Sequence, residues 1–298
     1  MSHAEQQFLQ RNQLPDTYLN SANQWFALLV AEFTAARASQ TKPIVIGING
    51  SQGSGKSTLA DYLCTMLNEQ SGLKTVSLSL DDFYLTRAER ETLASDVHPL
   101  LKTRGVPGTH DIHLALETLS SLISGSAQTL IPRFDKSTDD RHLEVDCDRV
   151  NGPVDVIILE GWCVGCKPQP KEALAEPAND LEREHDAEGV WRNYFNAALA
   201  TDYQTLFDRI DLLIMLRAPS FGTVYKWRLE QEQKMITRLA KGSQGNHAGV
   251  MSEAQIAAFI AHYQRITKYS LEEMPARADH LFRLDSQRQI VKYSPLAI

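Results

Sequence analysis

Four short runs of the chain are apolar almost throughout and do not strictly alternate: Ile44 to Ile48, Thr75 to Leu80, Val154 to Leu159 and Leu212 to Leu216. Runs of this length, rich in Ile, Val and Leu, read as strands buried on both faces. Segments of helical length separate them. Strands that alternate with helices predict a mainly parallel sheet covered on both sides, an α/β architecture. Leu281 to Leu284 or Ile290 to Tyr293 reads as an edge piece of that sheet. Ahead of the first strand, Trp25, Phe26, Leu29, Val30 and Phe33 recur at helical spacing, and the segment ends just before Pro43. Residues 1–42 therefore read as a helical extension and 43–298 as one domain. Two stretches break the rhythm. Lys167 to Gly189 is dense in Pro, Glu, Asp and Ala without an apolar period, and Lys241 to Gly249 carries three glycines among polar residues. Both predict loops or mobile covers.

Composition narrows the class. With 298 residues, 43% hydrophobic and 22% charged, the chain is long and apolar enough to bury a sizeable core, which excludes disorder and collagen. Its 37 acidic and 30 basic side chains leave a net charge of -7, a poor footprint for coating nucleic acid. No apolar run approaches the roughly 18 to 20 residues of a membrane-spanning helix. The opening Met-Ser-His-Ala-Glu-Gln-Gln lacks the basic and apolar regions of a signal peptide, so a cytoplasmic location is expected. Cys64, Cys147, Cys163 and Cys166 are too few for a disulfide framework. The last two form a lone CxxC, which reads as half a zinc site, a redox pair or incidental packing.

Gly50-Ser51-Gln52-Gly53-Ser54-Gly55-Lys56-Ser57 fits the phosphate-binding pattern G-x-x-x-x-G-K-[ST]. It stands where the mechanism needs it, after a buried strand and before the helical Thr58 to Asn68. Glycines let backbone N–H groups wrap a phosphate and the helix N-terminus adds a favourable dipole. Lys56 would reach the β and γ phosphates, and the Ser57 hydroxyl would ligate Mg²⁺. Gly50 through Thr58 are thus the nucleotide-binding candidates.

Two further strands end in acids. Asp81 and Asp82 follow the second strand and Glu160 closes the third, at the sheet edge where ligands bind in open α/β folds. A helix cap or turn is the ordinary role of an isolated acid there, a reading weakened by the convergence of three strand ends. Glu160 takes the position of an acid that holds Mg²⁺, with Ser57 and Asp81 as the other metal candidates. Transfer of a phosphoryl group to a hydroxyl also needs a base, for which Asp81 is the first choice and Asp82 the second. Tyr84 would wall the pocket. Arg228 sits on a predicted lid helix, poised either for phosphate or for a helical pair with Glu232. Arg104 and His110 share a Gly- and Pro-rich turn before Asp111, itself a candidate N-cap. Arg133, Asp135 and Arg141 lie near a short strand, and arginine suits the carboxylate of an anionic acceptor.

In combination, Gly50 to Thr58, Ser79 to Tyr84, Arg104 to Asp111, Pro132 to Lys136, Leu159 to Trp162 and the Trp227-Arg228 helix resemble the P-loop glycerate kinases (D-glycerate 3-kinase-like). That family is related to uridine kinase, phosphoribulokinase and bacterial pantothenate kinase. The resemblance spans most of the chain. It implies a kinase-type P-loop three-layer sandwich with a mainly parallel central sheet and lid or insertion loops. It also implies Asp81 as base, Glu160 as the Walker B acid, Arg228 as a lid arginine, and Arg133, Asp135 and Arg141 in the acceptor segment. Where the family carries larger apolar residues this chain has Cys163 and Cys166, which favours incidental packing for the CxxC.

The expected activity is phosphorylation of D-glycerate to 3-phosphoglycerate by Mg-ATP, acting on a small hydroxy acid without nucleic-acid or membrane partners. Arg104, Arg133 and Arg141 are the candidates for its carboxylate, together with Asp82, Tyr84, His110 and Asp135 in the substrate set. A nucleoside, pantothenate-like alcohol or sugar is the alternative acceptor, and a stacking aromatic such as Phe83, Tyr84 or Phe134 would mark the nucleoside. A nucleotide-dependent switch is the alternative of another class. Neither a guanine-reading Asn-Lys-x-Asp nor a Ser-Gly-Gly-Gln signature is present.

Overall fold

The computed structural model describes residues 1–241 and 251–296. Among these the strands are β1 (Ile44–Gly50), β2 (Thr75–Ser79), β3 (Gln128–Ile131), β4 (Phe134–Asp135), β5 (Asp140–Arg141), β6 (Asp148–Asn151), β7 (Val156–Gly161), β8 (Leu212–Arg217), β9 (His280–Leu284) and β10 (Ile290–Pro295). The helices are α1 (His3–Asn12), α2 (Thr17–Ala38), α3 (Lys56–Ser71), α4 (Arg87–Asp96), α5 (Ile112–Ser124), α6 (Asp180–His185), α7 (Val190–Ala200), α8 (Asp202–Phe207), α9 (Phe221–Lys241), α10 (Glu253–Ala261) and α11 (Gln264–Glu273).

The central sheet runs β10-β9-β8-β1-β7-β2. Its first five strands in chain order pair in parallel, and β10 closes the edge antiparallel to β9. β1 and β7 are buried at every position, as their unbroken apolar runs predict. β2 is only half-buried because it forms the other edge. Register places Ile48 of β1 and Ser79 of β2 on either side of Glu160 in β7. Three adjacent strands therefore deliver the glycine-rich loop, Glu160 and Asp81 to one edge.

α2 buries Leu19, Ala22, Phe26, Leu29, Val30 and Phe33, a stripe at three- and four-residue spacing. It packs on α3 and β1, with α1 against α3, and these side chains share one hydrophobic core with β1 and β7. No described helix is long and apolar enough to cross a membrane.

The segment Lys167 to Gly189 departs from its expected character as a mobile cover. It contains a turn of 3₁₀ helix at Lys171–Leu174 and then α6, and buried charges pin it. Arg265 of α11 grips Glu182 with Nε to Oε1 at 2.8 Å and Nη2 to Oε2 at 2.5 Å, and donates to the carbonyls of Ala173 and Glu176. Arg192 of α7 binds Asp186 and the carbonyl of Leu174. Order here comes from ion pairs, which leave no apolar period to read. The glycine-rich stretch Lys241 to Gly249 lies, apart from Lys241, outside the described residues.

Cys163 and Cys166 are buried and unbridged. Burial pushes the Cys163 thiol well above its ordinary value and that of Cys166 up to about 12, so both stay protonated packing groups.

Candidate active site

The chain leaves β1 at Gly50, wraps into the phosphate loop and enters α3 at Lys56, with Gly55 as N-cap. Gly53 holds a φ of +78°, and a Cβ there would stand 2.8 Å from Cβ of Trp227 on α9, so glycine lets α9 meet the loop. Arg288, in the β9–β10 turn, donates from Nε to the Gly53 carbonyl at 2.8 Å. Its guanidinium also pairs with Glu230 at 2.7 Å and lies over the Trp227 ring.

Behind the loop, Ser57 Oγ donates to Glu160 Oε1 at 2.9 Å and Lys56 Nζ stands 3.8 Å from Glu160 Oε2. Glu160 Oε2 is buried without a hydrogen-bond partner, and so are the Ser51 and Ser54 hydroxyls and the Gln52 side-chain Oε1 of the loop. Hard oxygen donors with unused capacity fit a small divalent cation. No group of three or more His, Cys, Asp and Glu gathers among the described residues. Such a donor set suits a cation held jointly by protein and phosphates rather than in an all-protein cage.

Gln52, Lys56, Ser57 and Glu160 line a cavity of about 390 Å³ that also takes in Asp81, Tyr84, Arg104, Lys136 and Arg228. Asp81 Oδ1 accepts from the Tyr84 hydroxyl at 3.0 Å and Oδ2 from Lys136 Nζ at 2.7 Å. Burial works to raise the Asp81 pKa, but the charges of Lys136 and Lys56 and the Lys136 hydrogen bond outweigh it and hold the carboxyl below the usual range. Arg104 pairs with Asp139, lies over the Phe134 ring, and its carbonyl accepts from the Tyr263 hydroxyl. Arg228 lines the cavity and makes the helical pair with Glu232 at 2.8 Å.

The other candidates stand off the cavity wall. Asp82 accepts from Arg133 at 2.6 Å and from the Phe134 amide at 3.2 Å, which ties β4 to the end of β2. Arg133 continues to Asp148. Arg141 bridges Asp111, the N-cap of α5, and Glu89, part of the capping box of α4. Asp135 accepts from Ser137 and Thr138, and these bonds lower its pKa to about 2 while fastening the β4–β5 tip. His110 stacks on Tyr84 with ring centroids 4.4 Å apart and bonds Tyr203 through Nδ1 at 2.6 Å. Burial lowers its pKa to about 4, so it is neutral near pH 7, supporting Tyr84 from behind.

Sequence reasoning missed Lys136, Trp162, Phe259 and Tyr263 as cavity residues. Lys136 stood beside a candidate, and Trp162 near Glu160; Phe259 comes from α10 and Tyr263 from the turn before α11, with no local signal. A second cavity of about 330 Å³ opens on the far side of the loop. Leu14, Tyr18 and Phe26 of the N-terminal segment wall it against Gly55, Thr58 and Leu284.

No protein-family model matches the chain. A kinase of Schizosaccharomyces pombe, mug58, is 38% identical over 232 residues, 74% of this chain and 79% of that one. D-glycerate 3-kinase of Arabidopsis thaliana, a chloroplastic protein, is 32% identical over 231 residues, but only 46% of its length is spanned. The solved D-glycerate 3-kinase of Cryptococcus neoformans superposes with a TM-score of 0.73 at 28% identity, covering 90% of this chain and 96% of that one. The parallel sheet, the phosphate loop with its paired Ser57 and Glu160, and these relatives together make the chain a member of the P-loop kinase family, with D-glycerate 3-kinases among its relatives.

Proposed function

We propose that the protein phosphorylates the 3-hydroxyl of D-glycerate with Mg-ATP, giving 3-phosphoglycerate and ADP, in the cytoplasm. The observation that carries this reading is a single cavity holding Lys56, the Ser57–Glu160 pair, Asp81 and an arginine, Arg104. Of the three arginines proposed for a carboxylate, Arg104 alone lines that cavity; Arg133 and Arg141 tie strands and helix caps together. The D-glycerate 3-kinases among the relatives support the same acceptor.

The loop amides and Lys56 bind the phosphates, and the apolar second cavity beside Thr58 takes the base. Ser57 and Glu160 would hold Mg²⁺, which neutralises charge on the phosphate oxygens when bound. Asp81 orients the acceptor hydroxyl and receives its proton as the oxygen bonds to phosphorus and ADP departs. Arg104 grips the acceptor carboxylate and Arg228 faces the transferring group from the lid helix. Positioning and electrostatics do the work.

The aromatic face made by Trp162, Phe259 and Tyr263 favours a second reading, an acceptor with a planar ring such as a nucleoside. ADP release with ATP, Mg²⁺ and a panel of hydroxy compounds, with the product identified by phosphorus NMR, tests both. Stimulation by D-glycerate with phosphate on carbon 3 is the expected result. Turnover of nucleosides and not glycerate transfers the site to the second reading. Tight nucleotide binding with silence across the panel leaves a switch.

A further inference from the structure

The two oxygens of Asp81 have very different partners. Tyr84, on Oδ1, is 3% exposed and fixed between the rings of His110 and Phe134. Lys136, on Oδ2, is 60% exposed along its side chain and stands at the tip of the two-residue ribbon β4–β5. An acceptor hydroxyl must come within about 2.6–3.2 Å of Asp81 to pass its proton, the distance the ammonium now occupies. The partner that can give way is the exposed lysine.

Once parted from Asp81, that ammonium remains in the cavity on a flexible four-carbon stem. The neighbouring cations are already matched. Lys56 has Glu160, Arg104 has Asp139 and Arg228 has Glu232. Lys136 alone among the cavity's cations would lose its carboxylate to an incoming acceptor, and an acceptor with a carboxylate of its own restores what is lost. A neutral alcohol does not.

We infer that Lys136 is a specificity-determining residue: it covers Asp81 in the free protein and exchanges onto the acceptor's carboxylate as the acceptor's hydroxyl takes its place. This rests on the proposed glycerate kinase reading and deepens it. Selection against neutral alcohols then comes from an exchange of ion pairs as well as from the grip of Arg104.

The test compares kcat/KM for D-glycerate with that for glycerol, which keeps the carbon skeleton and lacks the carboxylate. Wild type, Lys136→Met and Lys136→Arg are measured at saturating ATP, with circular dichroism to confirm folding. The expected result is a glycerate preference that falls about tenfold or more in Lys136→Met, mainly through KM for glycerate, and is largely kept in Lys136→Arg. KM for ATP stays unchanged. Equal loss with both acceptors, or a raised KM for ATP, assigns the lysine to the phosphates and overturns the inference. An unchanged preference in Lys136→Met overturns it too, while wild-type turnover of glycerate leaves the functional reading standing. Wild-type silence with glycerate removes both.

Discussion

Arg288 reaches across from the β9–β10 turn and donates to the carbonyl of Gly53, 2.8 Å away, so a residue 235 positions downstream fixes the backbone of the phosphate loop. Arg288 adopts a φ of +66°, an unusual conformation for a residue with a side chain. The same guanidinium holds Glu230 of α9. Phosphate loop, α9 and sheet edge thus meet in one side chain.

Arg288→Ala is expected to raise KM for ATP about tenfold with a smaller change in kcat. The bond to Gly53 contributes about 1 kcal/mol of loop order, the Glu230 pair less. Initial rates against ATP concentration provide the check; an unchanged KM would reduce the contact to packing.

Lys56→Ala and Asp81→Asn are each expected to lower kcat at least about 10²-fold in a folded protein, as loss of a preorganised charged partner does at other active sites. Steady-state kinetics with near-native circular dichroism decide this. Full activity in Asp81→Asn removes Asp81 from the base role.

Arg104 and Arg141 should separate in kind. Arg104→Met is expected to raise KM for the acid acceptor about tenfold or more. Arg141→Met is expected to lower stability by about 1 kcal/mol, through the α4 and α5 caps, with acceptor KM unchanged. Paired kinetics and thermal melts give the comparison, and a reversed pattern would move the carboxylate site to Arg141.

His110 makes stability depend on pH. Its folded pKa near 4 lies below the ordinary 6.5, so between these values the unfolded chain binds a proton that the folded chain refuses. Stability is fully present above about 6.5 and falls as pH drops toward 4, by about 3 kcal/mol for this group. Denaturant unfolding across that range should show a flatter slope for His110→Gln than for wild type.

Glu182→Ala leaves the Arg265 charge buried and unpaired, a change that costs about 3–5 kcal/mol. Limited proteolysis should then cut within residues 167–189 faster than in wild type. Equal cutting would mean that the ion pair does not hold the segment.

The sheet and the phosphate loop were readable because their signals are local: an apolar run, then glycines at fixed spacing before Lys56. α2 was readable from the spacing of Phe26, Leu29 and Phe33. Asp81 and Glu160 followed from their places at strand ends. Other features depend on partners far apart in sequence. Glu182 and Arg265 are 83 positions apart, so Lys167 to Gly189 looked like a cover. Arg104, Arg133 and Arg141 look alike in sequence, and only the folded chain sets Arg104 alone of the three on the cavity wall, with Arg141 held on the ribbon β4–β5 away from it. Lys136 needed the same ribbon before it could be set against Asp81.

The buried pair between Glu182 and Arg265 bears on more than its own segment. Arg265 lies two residues after Tyr263, whose hydroxyl holds the Arg104 carbonyl and whose ring packs edge-on against Trp162. The polar stretch before α7 is therefore a buttress for the cavity wall made by Trp162 and Tyr263. An alteration in this motif-poor segment would reach the phosphate-loop cavity through the footing of α11, without touching any residue that lines it.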